Sequence, residues 1–287
     1  MFEKTHANVN KLLQYYQIIS NLSLDVVLGV YCGLLPLPLC FGVPIPLAWY
    51  VALPAGTWAI YLADHWLDMR QNAALNQPRH VFIKQYQTEI AVLILLLVGF
   101  CAYTLVSFLH LTFWITAMVL ASCSLLYFVL SHLLVRSFQY YYNKELVVAC
   151  IYATALYLPI GLQQNQWLPW VAYFALQLLL AYVNLLMVSI IEMPADYRSK
   201  QFSWVQLIGA KRATRFFHVL TIVALVSAVA LAATNSFALQ QLALVYGVMA
   251  LLHWIVFRYQ HALQANESYR KLCELIFWLP AIIWLLA

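Results

Sequence analysis

The sequence predicts an all-α polytopic membrane protein: nine transmembrane helices, built as two four-helix halves plus one, with the N-terminus inside and the C-terminus outside. Three observations predict it. First, 65% of the 287 residues are hydrophobic and 9% are charged, with a mean hydropathy of +0.80. Soluble chains are about half apolar and a quarter charged, so this composition excludes a soluble enzyme, a nucleic-acid binder and a disordered chain. Second, nine stretches approach the roughly 20 apolar residues that cross a bilayer. Third, the lysines and arginines sort to one side of those stretches.

The nine stretches are 18–40, 44–64, 89–108, 111–134, 145–163, 167–191, 216–234, 237–257 and the shorter 272–287. The linkers after the odd-numbered spans are short and uncharged: a Gly-Val-Pro turn, Leu-His, GLQQNQ and TNS. Those after the even-numbered spans are longer and charged. With the N-terminus inside, the inner segments hold Lys4, Lys11, Arg70, Arg79, Lys84, Arg136, Lys144, Arg198, Lys200, Lys211, Arg212, Arg215, Arg258, Arg270 and Lys271. That is all 15 basic residues, so the positive-inside rule fixes the orientation.

The N-terminal segment 1–17 reads as cytoplasmic, and without an apolar stretch before a small-residue site it is not expected to be a cleaved signal peptide. Residues 18–287 read as a single transmembrane helical domain with cytoplasmic cap loops at about 65–88 and 192–215. The six cysteines form no C-x-x-C pair and read as small apolar packing residues. The bilayer is the implied partner, and nucleic acid is not. The expected location is a multi-pass protein of the bacterial inner membrane.

Only ten residues are acidic, and four of them form matched pairs. Asp64-His-Trp-Leu-Asp68-Met-Arg70 and Glu192-Met-Pro-Ala-Asp196-Tyr-Arg198 share the pattern acid-x-x-x-Asp-x-Arg, offset by 128 residues. Each follows a span running from outside to inside, so the pair marks an internal repeat that delivers carboxylates to one membrane face. Acids four residues apart on a helix repel, and a helix C-terminus is the negative end of its dipole. A divalent cation would relieve both effects, and Mg²⁺ typically shares carboxylates with substrate phosphates. Pro194 is expected to keep Glu192 and Asp196 off one regular helix. Basic residues gather on the same face: Lys144 after Tyr140, Lys200 after Arg198, and Arg70. Those nearest the acids are candidates to clamp a diphosphate.

These residues resemble the UbiA-type intramembrane prenyltransferase superfamily, of which the chain would be a divergent member. That family has nine transmembrane helices and two aspartate-rich motifs after helices two and six. Asp64 and Asp68 match the last two acids of the first motif, N-D-x-x-D-x-x-x-D, while Ile60 and Tyr61 stand in place of its leading Asn-Asp. Glu192 and Asp196 match the last two acids of the second motif. Leu185, beside Asn184, stands in place of its first acid, and Gly209 follows at the family distance. Tyr140 and Lys144 match the family's Y-x-x-x-K.

The resemblance implies an enzyme that transfers an isoprenyl group from a prenyl diphosphate to a lipophilic acceptor within the membrane. Its site would face the cytoplasm. Asp64, Asp68, Glu192 and Asp196 would hold Mg²⁺. Arg70, Lys144, Arg198 and Lys200 would bind diphosphate, with Asp64, Asp68 and Lys144 catalytic. Asp25, Asn184, Tyr61 and Tyr140 are the candidate pocket-lining residues. Asp25 lies inside the first span, where a carboxylate is functional by default, and its reading as a structural hydrogen-bond partner stays open. A terpene cyclase of the same fold, a catalytically inactive relative and a transporter-like protein are the alternatives. No nucleotide, dinucleotide or common hydrolase motif occurs.

Overall fold

The computed structural model describes residues 16–71, 78–133, 143–165, 167–199, 203–234, 236–264 and 267–286. All regular structure among them is helical. After a helical turn at 16–21 come α1 (Leu24–Leu34), α2 (Leu37–Phe41), α3 (Leu47–Gln71), α4 (Pro78–Gln85), α5 (Gln87–Phe108) and α6 (Leu111–Phe128). A π-helical turn, Val129–Leu133, extends α6. The second half comprises α7 (Lys144–Gly161), α8 (Trp167–Ser199), α9 (Trp204–Ile208), α10 (Ala210–Thr234), α11 (Phe237–Arg258), α12 (Ser268–Ile276) and α13 (Ala281–Leu286).

Among the described residues, seven helical segments are long and apolar enough to cross a membrane, α1 and α2 together counting as one, Leu24–Phe41. Two of the nine stretches read from the sequence differ. Helix α3 has the length, at 25 residues, but Trp49, Tyr50, Pro54 and the acids at its end dilute its apolar character. The C-terminal stretch is interrupted at 277–280, where the chain turns into Pro280 before α13.

The packing repeats as the acid motifs do. Helix α1 packs on α3 as α7 packs on α8, and α3 packs on α5 as α8 packs on α10. The contact of α6 with α7 recurs as that of α11 with α12, and α12 returns to α1. Outward faces carry apolar side chains, among them Leu95 on α5 and Val229 on α10, both about 70% exposed. In water such a surface would drive aggregation, whereas lipid solvates it.

One expectation is corrected. Helix α8 runs unbroken through Pro194, so Glu192 and Asp196 lie one turn apart on one helix. A proline inside a membrane helix removes one N–H donor, and neighbouring packing re-satisfies the backbone. Helix α3 likewise continues to Gln71, beyond the expected span, which places Asp64 and Asp68 on its last turns.

Between α7, α8 and α11 the core is aromatic, and its polar tips are paired. Tyr157 and Tyr246 share a hydrogen bond of 2.8 Å between hydroxyls, and Tyr173 donates to the Leu239 carbonyl at 2.6 Å. The Trp170 indole donates to the Tyr157 carbonyl at 2.7 Å and stacks on Phe174. That indole lies flat against Gly161, where a Cβ would fall inside the van der Waals surface of three of its ring atoms. Gly161→Ala therefore forces the ring and its hydrogen bond to move. We expect a loss of about 1–3 kcal/mol and a melting temperature several degrees lower in detergent, and a shift within one degree would contradict this packing.

Candidate functional site

Helix α3 ends in a cluster. Single ligand atoms of Asp64, His65 and Asp68 lie within 4.8 Å of one another. His65 is buried, and its Nε2 is 3.1 Å from the Ser23 hydroxyl. Ser23 holds a left-handed backbone at φ 56°, at the turn that opens α1. Trp66 donates to the Gln87 carbonyl at 3.2 Å, tying the end of α3 to the start of α5. Arg70 is exposed and lies over the Trp66 ring, 3.8 Å from its centroid.

Helix α7 starts at the same end of the bundle. Asn143 caps it by accepting from the Leu146 N–H at 3.0 Å, and its amide donates to the Tyr182 hydroxyl on α8. That double anchorage fixes where Lys144 begins the helix. A cation at a helix N-terminus opposes the dipole, yet Lys144 has Glu145, Asp196, Asp68 and Asp64 as electrostatic neighbours. The two acid motifs, 128 residues apart in the chain, thus meet at one ammonium group.

The next residue, Glu145, is 4% exposed. Its Oε1 accepts from the Ser189 hydroxyl at 2.7 Å, while its Oε2 is buried without a partner. On α8, Asp196 is buried and has Lys144, Glu192, Arg270 and Glu145 as electrostatic neighbours. Glu192 is one turn back. Its Oε1 accepts from both Arg270 and the Tyr269 hydroxyl of α12, the latter at 2.8 Å. Burial opposes the Arg270 charge, but Glu192, Tyr269 and Glu267 together outweigh it and move the guanidinium pKa up. Burial, then the Glu192 carboxylate, pushes the Tyr269 phenol up.

Of the residues read from the sequence, the structure brings together Asp64, Asp68, Lys144, Glu192 and Asp196. Arg198 is exposed, and Arg70 is turned onto Trp66. Tyr140 and Lys200 lie outside the described residues. Asp25 is 2% exposed, its carbonyl accepts from the Trp278 indole at 3.0 Å, and it lines neither of the two cavities described below. Four members were missed: His65, Glu145, Tyr269 and Arg270. Glu145 had a signal, since a second charge directly after Lys144 opens an apolar helix. Nothing local marks Arg270, which joins the site only because α12 packs back towards α1.

An apolar cavity of about 500 Å³ opens beside the cluster. It follows α3 from Asp64 and Tyr61 to Trp49, and is walled by α5, α6 and α7. At about 1.5 Å per residue, that stretch of α3 spans roughly 22 Å. Asp64 belongs to both the cavity lining and the carboxyl cluster. The donor set fits a divalent cation: Asp64 and Asp68 offer carboxylates and His65 an imidazole nitrogen within one small cluster, Asp196 and Glu145 add negative charge around Lys144, and one buried Glu145 oxygen has no partner. The Glu192 oxygen already held by Arg270 and Tyr269 is the least available.

No family model matches the chain, and no curated protein matches it. Among solved structures, the apo structure of a UbiA homolog from Aeropyrum pernix K1 is similar, with a TM-score of 0.65 and 13% sequence identity. The match covers 92% of this chain and 98% of that one. The protein has a UbiA-type membrane fold.

The Glu192–Arg270 pair is testable alone. Both side chains are about 15% exposed, so removing one partner leaves a poorly solvated charge. Arg270→Met is expected to cost about 3 kcal/mol, while Glu192→Gln with Arg270→Met costs less than the sum of the single changes. Additive losses in a thermal-unfolding double-mutant cycle would show that the two groups are not coupled.

Proposed function

We propose that the protein transfers an isoprenyl group from a prenyl diphosphate to a lipophilic acceptor within the membrane. The observation that carries this reading is the double membership of Asp64. One residue belongs to a carboxyl cluster suited to a metal–diphosphate head and to an apolar cavity suited to an isoprenoid tail. The UbiA-type fold of the similar structure supports the same reaction class.

In this reading Asp64, Asp68 and Asp196 hold Mg²⁺, with Glu192 behind them. When bound, the ion supplies charge neutralisation for the departing diphosphate. Lys144 binds the same anion and offsets the negative charge that grows as the C1–O bond breaks. The apolar walls hold the chain and keep water from the allylic cation. The Tyr61, Tyr127 and Tyr152 rings line the cavity, and their faces favour that cation. The diphosphate electrostatics assigned to Arg70 and Arg198 are secondary, since both side chains are exposed.

The topology that accompanies this reading is nine crossings with the N-terminus inside. Helix α3 and the broken α12–α13 segment are the two crossings beyond the seven. All basic residues then face the cytoplasm with the site.

With purified protein, farnesyl diphosphate and Mg²⁺, diphosphate release is expected. It should stop on chelation and fall about a hundredfold or more in Asp64→Ala and Asp196→Ala. Absence of release by the unmodified protein with prenyl chains of every length tested, or equal release by Asp64→Ala, would overturn the proposal.

A further inference from the structure

A second, smaller cavity of about 40 Å³ adjoins the first. Tyr61, Val148 and Tyr152 line both. The far side of the small one is formed by Asn184 of α8 and Glu274 of α12. Two of its lining groups are unpaired. Asn184 is 6% exposed and its Oδ1 has no hydrogen-bond partner, and the buried Tyr152 hydroxyl has none. Unpaired buried polar atoms are costly, and the large majority in native structures have a protein or water partner, so these two are suited to a small hydrogen-bonding group in the pocket. Tyr61 and Leu185, the positions where the acid motifs depart from the resembled pattern, both line this pocket as uncharged residues.

The chemistry narrows the ligand. The volume is about that of one water molecule or one hydroxyl-bearing carbon. A hydroxyl donates to Asn184 Oδ1 and accepts from the Tyr152 hydroxyl. It also suits the opposite orientation of the amide, because it both donates and accepts. A carbonyl only accepts, so with the amide as placed it would leave Oδ1 unpaired.

We propose that this pocket seats the hydroxyl group of the nucleophile that captures the prenyl cation, with Asn184 and Tyr152 as its binding residues. The inference rests on the transfer reading above. The shared wall at Tyr61 and Tyr152 places the hydroxyl beside the end of the apolar cavity where Asp64 sits. Its oxygen lone pair forms the new bond to C1 of the prenyl chain. The old C1–O bond breaks, and the diphosphate leaves with its electron pair. The hydroxyl proton passes to the Glu274 carboxylate, which lines the same pocket and is an electrostatic neighbour of the Tyr152 phenol. The hydroxyl comes either from a lipophilic alcohol or from water.

The test uses the full-length protein in lipid nanodiscs with farnesyl diphosphate and Mg²⁺ in oxygen-18 water, with and without 1-dodecanol. The readout is the ratio of oxygen-bearing products to elimination hydrocarbons, which does not depend on how fast diphosphate leaves. Dodecyl farnesyl ether identifies a lipid alcohol in the pocket, and farnesol labelled at C1 identifies water. Either one supports a hydroxyl seat. Asn184→Leu and Tyr152→Phe should each lower the ratio about fivefold, as expected for one lost hydrogen bond. Tyr152→Phe should not lower the melting temperature, because it removes an unpaired hydroxyl. An unchanged ratio in both variants, with diphosphate still released, overturns the hydroxyl seat and leaves the transfer reading standing. No diphosphate release by the unmodified protein removes the transfer reading, and this inference with it.

Discussion

Charge crowding at one end of the helix bundle governs the structure. Asp64, Asp68, Glu145, Glu192 and Asp196 are drawn from three helices towards Lys144 and Arg270. A carboxylate at the membrane boundary is costly to desolvate, and several together repel. The fold meets this by placing one cation at the centre, where α7 begins, and one at the edge, where α12 returns. Ser189 and Tyr269 supply further donors to Glu145 and Glu192. The carboxyl groups still outnumber the cations, so the site remains suited to a divalent ion and poorly suited to an unaccompanied anion.

The internal repeat explains why this cluster forms at all. Several helix pairs recur between the two halves, so the ends of α3 and α8 occupy corresponding places in the bundle, although α10 packs along α11 and α5 scarcely touches α6. Helix α7 lies between them, packed on α8 and reaching α1 and α6. Its first residue is therefore positioned to touch both halves. The apolar cavity falls on the α3 side of this seam, and the small pocket with its few polar groups lies among α1, α3, α7, α8 and α12. On the proposed transfer reading, the charged head, the apolar tail and the nucleophile would occupy these three adjoining regions.

Much of this was legible in the chain. Composition alone specified a helical membrane protein, because no other structure satisfies its backbone in lipid. The paired acids at a fixed offset and the Y-x-x-x-K resemblance at Lys144 pointed to residues that the structure brings near one another. Helix continuity was less legible. Pro194 ordinarily breaks a helix, yet α8 continues through it to Ser199. Arg270 and Tyr269 carry no local pattern, and their role depends on a long-range return of the chain. Gly209, in contrast, was marked by spacing and is explained by geometry. It turns the chain from α9 to α10 at φ 81°, a conformation that side-chain-bearing residues rarely adopt.

The central claim is that the two acid motifs and Lys144 form one site that takes a diphosphate only with a divalent cation. Calorimetric binding of farnesyl thiolodiphosphate, an analogue that resists ionisation, tests it most directly. The account predicts binding in the presence of Mg²⁺, loss of binding on chelation, and loss of about tenfold or more in affinity for Lys144→Met, the range for removing a charge-assisted hydrogen bond. Equal binding with and without divalent cation, in both the unmodified protein and Lys144→Met, would contradict it.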